Sequence, residues 1–132
     1  MNENKNNYLK NKFELEGNVS NVQNVYVNKN GKKILRFDLA QKSGENTQFI
    51  PIVLKGDLVN SYGEEIQKGD WISVKGIIST YSKNVERDGK TYKDKAIDIL
   101  AFEIIDKKNN KLYLSNGQIE KMFNNVEMRQ ER

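Results

Sequence analysis

Apolar residues along this chain recur mostly at every second position, the spacing of strands rather than helices. From Lys12 to Asn28 they fall at Phe13, Leu15, Val19, Val25 and Val27. Gly17 interrupts the run, and a glycine inside a strand marks a bend or bulge. Asn28-Lys29-Asn30-Gly31 predicts a turn, because Asn and Gly tolerate positive φ. Residues 33–41 alternate, with Leu35, Phe37 and Leu39 on one face and Arg36 and Asp38 on the other. A third strand is expected from Thr47 to Lys55. Pro51 cannot donate to a ladder, which assigns that strand to an edge or an irregular stretch. Asp57 is placed to cap a short helix reaching Ile66, with Leu58, Val59, Tyr62 and Ile66 as its apolar set. After a turn at Lys68-Gly69-Asp70, Trp71 to Tyr81 predicts a fourth strand. It sets Ile72, Val74 and Ile78 opposite Ser73, Lys75 and Ser79, with Gly76 in its middle. Residues 82–90 read as a charged hairpin loop with Asp88-Gly89 at its tip, and Thr91 to Ile105 as a fifth strand.

The two ends differ from this middle. Residues 1–11 predict a disordered polar tail. After Asp106 comes a polar break, Lys107-Lys108-Asn109-Asn110, and then Leu112 and Leu114, which extend an edge. Ser115 and Gln118 have capping-box spacing, and Ile119, Met122, Phe123 and Val126 follow as one helical stripe. The division is therefore a barrel domain over 12–106 and an extension over 107–132, with an amphipathic helix at about 115–127. The stripe suits packing on the chain's own barrel, a subunit contact or a partner protein. The order strand-strand-strand-helix-strand-strand, with two glycines placed to turn corners, is that of the OB fold. The fold class is all-β: a five-stranded Greek-key barrel, a short helix between strands 3 and 4, and a C-terminal helix.

Composition changes the picture mainly by exclusion. The chain has 132 residues and neither His nor Cys. Ser-His-Asp catalysis, cysteine nucleophiles, thiolate zinc sites and disulfides all need those residue types. Asp94 and Asp98 share a strand face, but four residues at strand rise separate them by about 13 Å, too far to serve one metal or one bond. Glu14 and Glu16 sit on a strand without further ligands, and no phosphate-binding P-loop occurs. No enzyme, cofactor or metal is expected. Lys and Arg number 22 against 18 acids, a formal charge of +4 that suits a polyanionic partner. The longest apolar run, Phe49 to Leu54, is far short of a membrane span, so a cytoplasmic protein is expected.

Three segments resemble the bacterial single-stranded-DNA-binding protein family. They are Phe13-Glu14-Leu15-Glu16-Gly17-Asn18-Val19, residues 48–58 (QFIPIVLKGDL), and Lys68-Gly69-Asp70 through Ile72-Ser73-Val74-Lys75-Gly76, followed by the Asp88-Gly89-Lys90 hairpin. The resemblance covers roughly residues 12–105. It implies single-stranded DNA binding with little sequence preference, in replication, recombination or mobile-element transfer. It also implies a homo-oligomer, a tetramer or dimer. Phe49 keeps an aromatic where the family often has Trp, whereas Lys55 stands where an aromatic often precedes the glycine, and Pro51 is unusual. The family's acidic C-terminal tip has no counterpart in Met128-Arg129-Gln130-Glu131-Arg132. A phage, plasmid or other mobile-element relative is therefore expected.

Such binding needs aromatic faces to stack bases and a cationic track for phosphates. The aromatic candidates are Phe49, Tyr81, Tyr92 and Tyr26. Lys29, Lys32, Lys33 and Arg36 surround the first hairpin; Lys83, Arg87, Lys90 and Lys93 surround the second. Tyr81 and Tyr92 also fit barrel-rim packing. Trp71 reads as core or interface. Asp38, Asp94 and Asp98 oppose the binding reading if they line the same groove. The competing reading is an OB-fold protein-interaction module with weak or no nucleic-acid binding. It would act through Ile119, Met122, Phe123 and Val126, which also form the expected contact for a replication or transfer protein.

Overall fold

The computed structural model describes residues 10–115. Its strands are β1 (Phe13–Ser20), β2 (Tyr26–Val27), β3 (Lys33–Ser43), β4 (Asn46–Lys55), β5 (Trp71–Arg87), β6 (Lys90–Asp106) and β7 (Lys111–Leu114). Two short helical turns, α1 (Asp57–Asn60) and α2 (Tyr62–Glu65), lie between β4 and β5. The sheet runs β1-β5-β6-β4-β3-β2, and an added β1–β3 pairing closes five strands into a barrel. β4 and β6 are parallel and the other pairs antiparallel, so the barrel is mixed.

Both interior glycines sit where backbones meet. At the corner after Gly17, Asn18 pairs with Trp71 of β5 and with Ala40 of β3. A Cβ on Gly17 would collide with the Ala40 carbonyl oxygen. At Gly76 the β5–β6 register shifts, and a Cβ there would strike the Leu100 carbonyl and the Phe13 ring. Glycine is required at both for close approach rather than for a special φ.

The alternation of β3 fills the barrel as expected. Leu35, Phe37 and Leu39 are buried with Ile52, Leu54, Ile72, Val74 and Ile104. The helical segment plugs one end with Leu58, Val59 and Tyr62. It begins at Gly56, at φ 60° and without a side-chain cap, so Asp57 lies inside the first turn instead of capping it. Pro51 sits where β4 pairs only with β3, because β4 meets β6 at a single register position, Val53↔Leu100.

Three further expectations need correction. The first strand ends at Ser20, where Asn21 takes a left-handed φ of 50° and donates to Asp38; the chain rejoins the sheet only at Tyr26–Val27. Residues 82–87 are not a loop. β5 and β6 are each 17 residues long and stay paired to Arg87↔Lys90, across a turn in which Asp88 and Gly89 both take positive φ. That turn matches the twist of the strands and lets the ladder run to its end. Trp71 is exposed rather than core; its indole N–H donates to Glu16 at 2.7 Å and Lys107 lies over its ring. Residues 1–9 and the expected C-terminal helix, with Ile119, Met122, Phe123 and Val126, lie outside the described residues.

Candidate nucleic-acid interface

In paired strands, directly opposite residues share a face. On β3 and β4 the pairs Ile34↔Lys55, Arg36↔Val53, Asp38↔Pro51 and Ala40↔Phe49 lie on the outside of the barrel, and Tyr26 joins them opposite Ile34. Val53↔Leu100 carries this face onto β6. From there it follows Ser79↔Asp98, Tyr81↔Ala96, Lys83↔Asp94, Val85↔Tyr92 and Arg87↔Lys90 out along the β5–β6 arm. Register alone thus gathers Tyr26, Arg36, Phe49, Tyr81, Lys83, Arg87, Lys90 and Tyr92 on one continuous face.

The aromatics on this face are uncovered. Phe49 is 54% exposed, Tyr92 48% and Tyr81 40%. Among the described residues, none donates or accepts a hydrogen bond with the hydroxyls of Tyr26, Tyr81 or Tyr92. These rings are about half exposed and carry no hydroxyl hydrogen bond to another described residue.

Four other candidates stand elsewhere. Lys93 opposes Asn84 on the reverse face of the arm, with Lys95. Strict alternation from Tyr92 already carries that information. Lys33 turns toward α1, where its Nζ donates to Asn60 Oδ1 at 3.0 Å. Lys29 and Lys32 belong to the β2–β3 turn, shaped by Asn28, whose side-chain oxygen accepts from the Asn30 and Lys32 amides.

All three questioned acids lie on the same face as the aromatics, but each is engaged. Asp38 accepts from Asn21 Nδ2 at 2.8 Å. Asp94 lies 3.8 Å from Arg87 Nη2. Asp98, only 4% exposed, holds Arg36 Nη1 at 3.1 Å on one oxygen and Lys55 Nζ at 3.7 Å on the other. Lys55, which replaces a family aromatic, therefore brings a cation to the face. This cluster could not be inferred from sequence spacing, because Arg36, Lys55 and Asp98 come from three different strands.

A five-stranded barrel with an uncovered aromatic and cationic face defines an OB-fold nucleic-acid binder. The family described as the single-strand binding protein family matches residues 10–105, and the chain belongs to it. It is accordingly a non-enzymatic protein that binds single-stranded DNA in replication and recombination. Among solved structures, the mitochondrial single-stranded DNA binding protein Rim1 of S. cerevisiae is similar, with a TM-score of 0.55 and 18% identity, covering 73% of this chain and 94% of that one. That likeness concerns the fold. No curated protein matches the chain. Among the described residues, no helix is long and apolar enough to cross a membrane.

Proposed function

We propose that single-stranded DNA runs along the face shared by β3, β4 and the β5–β6 arm. Phe49, Tyr81 and Tyr92 stack bases there, and Tyr26 extends the row. Lys83, Arg87 and Lys90 follow the phosphates, and Arg36 joins them at the barrel. Lys29 and Lys32 reach the strand from the first hairpin, while Lys33, held by Asn60, and Lys93, on the reverse face of the arm, lie off this path. The observation that carries this reading is the register, which sets three uncovered aromatics and three arm cations on one face. Stacking on a ring tolerates every base, so binding has little sequence preference.

The same proposal includes a cytoplasmic homo-oligomer, dimer or tetramer, working on mobile DNA. The apolar stripe Ile119, Met122, Phe123 and Val126 serves as the contact for a second copy or for a replication or transfer protein.

Fluorescence anisotropy with labelled oligo-dT tests the central part. Binding is expected to fall steeply with salt, because phosphate contacts release counterions, and to resist a duplex competitor. Binding displaced equally well by duplex would reject the stacking face.

A further inference from the structure

The proposed face carries a feature that strand binding does not ask for: a buried carboxylate in its middle. Asp98 is 4% exposed and holds one cation on each oxygen, Arg36 from β3 and Lys55 from β4. The three charges come from three strands. They bridge the place where β4 and β6 share a single register position, Val53↔Leu100. Both cations are themselves partly exposed, so a phosphate can approach them from solvent. The cluster therefore presents two cations to the surface but only one net positive charge.

We infer that Asp98 is a positioning residue that sets the strength and salt dependence of strand binding by withholding one of these two cations from the phosphates. This rests on the strand path proposed above. Phosphate binding releases about 0.7 counterion per neutralised charge on a single strand. An internal carboxylate that already neutralises a cation removes that release. The consequence is a face whose affinity is lower, and whose salt dependence is shallower, than its lysines and arginines alone would give. A purely structural Asp98, clamping β3 and β4 to β6, would have a different signature. Removing it would loosen the barrel and weaken binding.

The test is a charge-count cycle read by oligo-dT affinity across a salt series. Asp98→Asn is expected to bind about five-fold tighter at about 0.1 M salt, and to steepen the log–log salt slope by about 0.7. Arg36→Gln should weaken binding and flatten the slope by a similar amount. The double variant should return close to wild type in both. It also removes the buried charge together with one partner, which avoids stranding an unpaired charge if either single variant folds poorly. Asp98→Asn with unchanged slope and no gain in affinity would overturn the inference, as would a double variant no better than Arg36→Gln. Phe49→Ala in the same series separates the two levels. If Phe49→Ala weakens binding and the Asp98 variants do not follow the charge count, only this inference fails. If neither responds, the proposed path fails with it.

Discussion

Two groups of tyrosines in this molecule have opposite surroundings. At the plugged end of the barrel, Tyr62 and Tyr113 are buried, meet edge to face at 5.1 Å, and each donates to a carboxylate: Tyr62 to Asp70 at 2.7 Å, Tyr113 to Glu65 at 2.6 Å. Along the outer face, Tyr26, Tyr81 and Tyr92 are uncovered, and among the described residues their hydroxyls have no partner. A buried phenol needs its hydroxyl satisfied, so a tyrosine held by a carboxylate is a packing element. A ring left open on a sheet face beside cations can take a base instead. The side chain is the same, and the environment decides the task.

Substitutions should separate the two groups. The largest effect is expected at the plug. Tyr62→Ala empties a fully buried aromatic site and should cost about 3–5 kcal/mol of stability, seen as a lower denaturation midpoint. The fraction that remains folded should still bind DNA normally. On the outer face, Phe49→Ala should cost about 1–3 kcal/mol of binding, a loss of roughly 5- to 150-fold in oligo-dT affinity. Its denaturation midpoint should stay close to wild type, because the ring is half exposed. Opposite results at the two positions would erase the distinction.

A smaller and sharper probe is Tyr113→Phe, which keeps the ring and removes one hydrogen bond. It should cost about 0.5–1.5 kcal/mol and change the pH dependence of stability at both ends. Burial, and then the bond to Glu65, raises the Tyr113 hydroxyl above its ordinary value; burial and Asp70 do the same to Tyr62. A raised group stabilises the fold below its unfolded value, about pH 10, and that contribution is lost as pH rises through the folded value. The Tyr113 hydroxyl, followed by Lys111, holds Glu65 below the ordinary carboxylate range, and the Asn109 side chain does the same for Asp106. Those contributions are present above about pH 4 and lost as pH falls. Denaturation midpoints of Tyr113→Phe should therefore change less than wild type, both above pH 10 and below pH 4.

How far the sequence reveals all this follows from where burial leaves a periodic trace. Leu35, Phe37 and Leu39 alternate against polar neighbours and are the core of β3. Gly17 and Gly76 mark the two close approaches, and Pro51 marks the part of β4 that pairs with β3 alone. The arm from Ser82 to Arg87 carries a single apolar residue, Val85, among polar and exposed ones, so its pattern does not distinguish ladder from loop. The clustering of Arg36, Lys55 and Asp98 was equally hidden, since it depends on barrel closure rather than on any local spacing. Tyr113 shows the same limit: Leu112 and Leu114 hinted at an edge strand, but the carboxylate that receives the tyrosine hydroxyl is contributed by α2.

The most direct test of the account is to see which side chains touch the bases. Photocross-linking to an iodouracil-substituted oligonucleotide, followed by peptide mapping, reads this without any substitution in the protein. The account predicts cross-links at Phe49, Tyr81 and Tyr92 and none at Tyr62 or Tyr113. Cross-links concentrated at Trp71, which is exposed and held by Glu16 and Lys107, with none at those three, would contradict it.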